Sequence, residues 1–132
     1  MALGLLADEI KKRLFATGMV HFDDTPVNLL EDNAQKPRGQ RIRQARFWAA
    51  RAAPRDGPWT VYDFTVSRAA DGPIRFFDGY DGKITCDAYS AHEKLLPLVD
   101  GVPDDSRLYG CWAHARRYFF NAHKSDAPRQ GA

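Results

Sequence analysis

Two segments of this chain are built alike: a short apolar run ends by delivering an aspartate. Met19-Val20-His21-Phe22 leads into Asp23-Asp24-Thr25-Pro26, and Lys83-Ile84-Thr85-Cys86 leads into Asp87-Ala88-Tyr89. Asp23 and Asp87 lie 64 residues apart (87 − 23), yet both arrive at the same edge if the two runs are neighbouring central strands of one sheet. Carboxylates paired in this way hold magnesium or manganese, because these hard ions prefer oxygen ligands and a strand fixes the ligand with little freedom lost. Two such ions roughly 3.5–4 Å apart activate an attacking oxygen and steady a leaving oxygen in displacement at phosphorus. In that arrangement Asp23 bridges the ions from the first strand and Asp87 binds one of them from the fourth. Asp24 is expected to point the other way, since side chains alternate along a strand. The residues alone also allow a plainer role, because aspartate is favoured at turns and helix starts and could simply cap the segments that follow.

The elements that must position these acids can be read along the chain. Leu3, Leu6, Ile10 and Leu14 recur at three- and four-residue spacing among charged residues, so 3–16 is expected to be an amphipathic helix closed by Gly18. Met19 to Phe22 reads as a strand covered on both faces, with Pro26 ending regular pairing. Residues 31–45 are polar and hold Asn33, Pro37 and Gly39, which suits a hairpin tip. A second strand is expected at 46–51. A third is expected at 59–66, with Tyr62, Phe64 and Val66 on one face. Asp71-Gly72-Pro73 is a helix-start signal, and Ile74, Phe77 and Tyr80 share a face of the short helix it opens. The strand ending at Asp87 follows, then a helical stretch over 88–96, a loop over 97–105, a fifth strand over 107–112 and a helix to about His123.

A three-stranded antiparallel meander followed by two parallel strands implies an α/β fold, a ribonuclease H-like mixed five-stranded sheet with helices on both faces. Residues 1–124 are expected to form this core, and 125–132, with nothing to bury, a disordered tail. At 44% hydrophobic residues and 12% aromatics, 132 residues suffice for one domain. The net charge of +2 is too small to identify a polyanionic partner by itself. Cys86 and Cys111 sit in apolar runs, the start lacks a basic leader region, and no apolar stretch approaches the roughly 20 residues of a membrane span. These features point to a cytoplasmic protein with reduced thiols and no membrane partner.

Three motifs in order, His21-Phe-Asp-Asp-Thr-Pro-Val27, then Asp87-Ala-Tyr-Ser-Ala-His92, then Cys111-Trp-Ala-His-Ala-Arg-Arg-Tyr-Phe119, closely resemble the transposases of the insertion sequence sixty-six family. The resemblance runs from about Leu14 to His123 and favours the metal-binding reading of the acids over the capping one. It implies a catalytic domain in which Asp23 and Asp87 match the first two acids of an Asp-Asp-Glu triad, with Mg²⁺ or Mn²⁺ as cofactor. It further implies DNA transposition by metal-dependent strand cleavage and strand transfer, with the element ends and target DNA as partners. Asp24 stands where glutamate is usual. Family members place the third acid, a glutamate, on a helix beyond the Cys-Trp-Ala-His segment, and the later acids here, Glu93, Asp100, Asp104, Asp105 and Asp126, do not match it. The chain is therefore expected to be a truncated, incomplete transposase, inactive alone and dependent on a second transposase polypeptide or on further copies. The alternative is a catalytically inactive remnant that binds DNA or protein.

Other residues carry weaker signals. Lys36, Arg38, Arg41, Arg43, Arg46 and Arg51 lie in an acid-free run from Asn33 to Arg55 and suit a DNA backbone contact, as a solvated hairpin tip would also look. His114, Arg116 and Arg117 could meet phosphates near the acids, with a solvated helix face as the plainer reading. Trp48, Trp59 and Trp112 are expected as core anchors within strands. A zinc site drawn from Cys111, His114 and His123 with His21 or Cys86 has poor spacing.

Overall fold

The computed structural model describes residues 2–30, 37, 42–87, 90–96 and 98–126. Helix α1 (Ala2–Ala16) is followed by β1 (Met19–Leu30), β2 (Ile42–Ala52) and β3 (Thr60–Thr65), then by the short helix α2 (Asp71–Phe76) and β4 (Lys83–Cys86). After a 3-10 segment at Ser90–Leu95 come the two-residue strands β5 (Leu98–Val99) and β6 (Val102–Pro103). Strand β7 (Leu108–Gly110) and helix α3 (Trp112–Asp126) complete the order. The main sheet runs β3-β2-β1-β4-β7. Its β1–β2 and β2–β3 pairs are antiparallel, whereas β1–β4 and β4–β7 are parallel. The expected meander followed by two parallel strands is therefore present. No helix among the described residues is long and apolar enough to cross a membrane.

Alternation along the central strands explains where the core sits. Val20 and Phe22 of β1, Trp48, Ala50 and Ala52 of β2, and Ile84 and Cys86 of β4 all turn to one face and are buried there. Leu14 and Phe15 of α1, with Phe76, Phe77 and Tyr80 from α2 and the turn after it, close over that face. The rings pack in offset and edge contacts: Phe22 stacks on Trp48 at 5.3 Å, and Phe77 meets Phe22 edge-on at 4.9 Å. Trp48 also solves its polar problem, because its indole N–H donates to the Thr65 hydroxyl at 2.7 Å. That hydroxyl in turn donates to the Ser67 carbonyl at 2.6 Å and so pins the turn leading to Arg68.

The strands are longer than their apolar runs. β1 continues through Pro26 to Leu30, because β4 pairs only with Met19–His21 and leaves the far side of β1 open, where a proline's missing N–H is tolerated. Residues 42–45, expected in the hairpin tip, belong to β2, and the tip residues Lys36, Arg38 and Arg41 lie outside the described residues. The 97–105 loop contains a small hairpin whose turn, Asp100-Gly101, has φ of 53° and 81°, as a two-residue primed turn requires. The expected helix at 88–96 is the 3-10 segment Ser90–Leu95, with 88 and 89 outside the described residues. α3 carries Ser125 and Asp126, which were expected in a disordered tail; residues 127–132 lie outside the described set.

Helices α1 and α2 pack on the core side of the sheet. The opposite face presents Phe47, Tyr62 and Phe64, and α3 holds Tyr118, Phe119 and Phe120 exposed. Ile74 is 45% exposed, and Gly72, Pro73 and Phe76 are the buried residues of α2. Of the three tryptophans Trp48 is buried and Trp59 packs at the core margin, but Trp112 opens α3 and is 82% exposed. Trp48→Ala is expected to lower stability by about 3–5 kcal/mol, read as a lower denaturant midpoint with an unchanged slope.

Candidate metal centre at the sheet edge

The register of β1 and β4 builds the site. Met19 lies opposite Lys83, Val20 opposite Ile84 and His21 opposite Thr85, all at the offset of 64 that separates Asp23 from Asp87. Continued two residues, the same register sets the two aspartates side by side as β4 ends. Lys83 N–H donates to the Gly18 carbonyl at 2.9 Å, locking the entry of β4 to the entry of β1. Gly82 is needed there: a Cβ would run into the Tyr80 hydroxyl and come within 2.7 Å of the Gly18 oxygen. Arg107 holds the same turn by donating from Nη2 to the Tyr80 carbonyl at 2.7 Å and from Nε to the Gly82 carbonyl at 3.0 Å.

Asp23, Asp24 and Asp87 each offer a carboxylate oxygen, and these atoms lie within 4.8 Å of one another. Asp24 therefore still has an oxygen in the cluster, although it starts from the opposite side of the strand, as alternation predicts. Asp24 does turn to the core side, but the Asp23 carboxylate curls back along its own strand and accepts from the Asp24 N–H at 2.9 Å. The three acids have different surroundings. Asp23 is 56% exposed at its side chain, with His114 Nε2 3.7 Å from its carboxylate. Asp87 is 23% exposed and borders a cleft of about 380 Å³ that Arg68, Cys111, His114 and Tyr118 also line. The Asp24 side chain is 1% exposed and fully engaged by cations: Arg46 Nη1 donates to Oδ2 at 2.9 Å, while Arg68 donates to Oδ1 from Nη2 at 2.7 Å and from Nε at 3.1 Å. The same Arg68 Nη2 reaches Asp87 Oδ2 at 3.3 Å.

Chemically, Asp23 and Asp87 fit a divalent cation: both are oxygen donors on rigid strand ends, and both keep solvent access. Asp24 does not, because a buried carboxylate bonded to two guanidinium groups has its charge already matched. Arg46, expected in a DNA-contacting run, is instead withdrawn into this ion cluster with its side chain 15% exposed. Arg68 was not singled out in the sequence at all. The one available signal was its position just past a strand of the meander, a place from which a long side chain can reach across a sheet edge.

The remaining candidates divide. His114 comes to the acids, one turn into α3, and its Nδ1 is buried without a hydrogen-bond partner among the described residues. Arg116 and Arg117 follow on the same helix and are exposed. Arg43 is exposed on β2 opposite Leu29, five residues and roughly 17 Å along the strands from the Trp48–Asp24 pair, so it does not meet the acids. Zinc finds no support. The described residues gather one group of three or more metal-ligating side chains, the three aspartates. The Cys86 thiol is pushed up to about 12, by burial first and by Asp87, Cys111 and Asp23 beside it, which keeps it protonated near neutrality.

A family model described as Transposase IS66 family matches residues 1–132. A curated relative from Sinorhizobium fredii (strain NBRC 101917 / NGR234), "Uncharacterized protein y4qI", is 32% identical over 130 residues. That match covers 93% of this chain and 23% of the relative, so the chain spans under a quarter of the relative's length. No solved structure matches. A family match along the whole chain, together with a sheet edge that gathers the aspartates of two of the three motifs, identifies the chain as a member of the IS66 transposase family.

Proposed function

We propose that this chain forms part of the catalytic domain of a transposase, in which Asp23 and Asp87 hold Mg²⁺ or Mn²⁺ for DNA strand cleavage and strand transfer. The observation that carries this reading is the meeting of Asp23 and Asp87 at one sheet edge, while Asp24 beside them is already paired with two arginines. The strand order, with two parallel strands added beside an antiparallel meander, supports a ribonuclease H-like architecture. A divalent ion at such a site supplies charge stabilisation and an activated oxygen for displacement at phosphorus.

The chain's own groups have distinct parts in this proposal. Asp23 and Asp87 orient and charge the site. His114, beside Asp23, together with Arg116 and Arg117 on the exposed face of α3, meets the phosphates of the bound DNA, where guanidinium geometry suits phosphate oxygens. In this reading Lys36, Arg38, Arg41 and Arg43, close together in sequence, add further contacts to the DNA backbone. Glu93, Asp100, Asp104 and Asp105 stay outside the aspartate group, so the third acid of the triad comes from another segment or polypeptide. One observation favours the inactive DNA-binding alternative: Arg68 already occupies part of Asp87.

Metal binding separates the two readings. Titrating Mn²⁺ into wild-type protein while following thermal stability should raise the melting temperature, and Asp23→Ala and Asp87→Ala should each abolish the rise. A folded wild-type protein that Mn²⁺ does not stabilise would leave the inactive reading. Asp24 behaves differently in this proposal. Asp24→Asn leaves two guanidinium groups facing a neutral amide and is expected to cost roughly 3 kcal/mol, toward the lower end for a buried pair because Arg68 keeps partial solvent access. Asp23→Asn, at an exposed position with like charges nearby, should leave stability unchanged or slightly raised in metal-free buffer. Equal losses for the two variants in urea denaturation would contradict this division.

A further inference from the structure

Three carboxylates with oxygens within 4.8 Å repel one another, and the structure answers that repulsion with a cation from an unexpected place. Arg68 sits between β3 and α2, 44 residues from Asp24 and 19 from Asp87. Its turn is fixed from below by the Trp48–Thr65–Ser67 hydrogen-bond chain, and from the far side by Gly72, where a Cβ would collide with the Thr65 methyl. The guanidinium divides unequally. Nε and Nη2 both donate to Asp24 Oδ1, at 3.1 and 2.7 Å, and Nη2 also reaches Asp87 Oδ2, at the longer 3.3 Å. The Asp24 end is buried and strong. The Asp87 end is longer and borders the open cleft.

We propose that Arg68 is the built-in counter-ion of this site: anchored on Asp24, it neutralises Asp87 in the metal-free protein and yields Asp87 when a divalent cation binds. This inference rests on the proposed metal role of Asp23 and Asp87. Arg68 is then a positioning residue, acting through Asp87. Its consequence is a thermodynamic competition. Holding Asp87 in place without metal keeps the acids from splaying apart, but the positive charge lowers the affinity of the site for a second cation. Asp24 earns its burial as the anchor that keeps Arg68 near after Asp87 is released. The aspartate at position 24 is thereby explained as part of the site without being a ligand.

The test is Mn²⁺ affinity, measured by calorimetry and by the free-Mn²⁺ electron paramagnetic resonance signal, in wild-type protein, Arg68→Gln and Arg68→Lys. Removing a unit charge a few ångströms from the ion should tighten Mn²⁺ binding by about tenfold or more in Arg68→Gln. Arg68→Lys keeps the charge and should stay within about threefold of wild type. A purely structural role for Arg68 predicts weaker binding in both variants. Equal or weaker binding in a folded Arg68→Gln, or a lysine variant as tight as the glutamine one, would overturn the counter-ion role while leaving the metal site standing. A folded wild-type protein that binds no Mn²⁺ would remove the metal reading and this inference together. If Arg68→Gln does not fold, wild-type protein still decides. During Mg²⁺ titration the Arg68 Nε–Hε resonance should shift with the midpoint of the Asp87 amide while staying protected by Asp24. An Arg68 resonance that does not respond to Mg²⁺ would contradict the proposal.

Discussion

The short parallel pairing of β1 with β4 decides where everything else in this molecule can act. Three opposed pairs, Met19–Lys83, Val20–Ile84 and His21–Thr85, carry it. A slip of one residue would turn the side chains of β4 to the opposite faces, exposing Ile84 and Cys86 and moving Asp87 away from Asp23. The register is held by packing on one side, where Val20 and Ile84 are fully buried, and by backbone on the other, where the Gly18 carbonyl accepts from Lys83. Fold and site thus share one determinant. The apolar residues that fix the register for the core also fix the spacing of the acids at the edge.

Charge then sorts residues that look equivalent in sequence. Asp23 and Asp24 are adjacent, but alternation sends one toward solvent and the other under the sheet, where burial of an unpaired carboxylate would be costly. Arg46 from the neighbouring strand and Arg68 from the turn after β3 meet that cost. Both guanidinium groups are thereby committed to Asp24, while Asp23 and Asp87 keep more solvent access. Phe47 and Phe64, in contact at 5.3 Å, lie on the sheet face opposite the core, the face to which alternation also turns Asp23.

Much of this was legible in the chain. The two apolar runs ending in aspartate, the antiparallel meander and the helix after Asp71 all follow from local pattern, because short buried strands and turn residues leave strong signals. Pro26 misled because its cost depends on whether the neighbouring strand reaches it, and β4 stops short. The Asp100-Gly101 turn carried a hairpin signal that two flanking strands of only two residues each made easy to overlook. The fate of Ile74 and Trp112 depended on which faces neighbouring elements cover, and periodicity within a single helix cannot supply that. Arg68 was illegible for a deeper reason: its role exists only once residues 24, 68 and 87 are brought together, and nothing near it in sequence distinguishes it from any surface arginine.

The central claim is that the aspartate cluster is divided, with Asp23 and Asp87 available to a cation and Asp24 committed to arginine. Anomalous diffraction from crystals soaked in Mn²⁺ tests it most directly. The account predicts manganese density in contact with Asp23 and Asp87, with the Asp24 carboxylate still bonded to Arg46 and Arg68. Manganese bound by Asp24, or no manganese at this edge at saturating concentration, would contradict it.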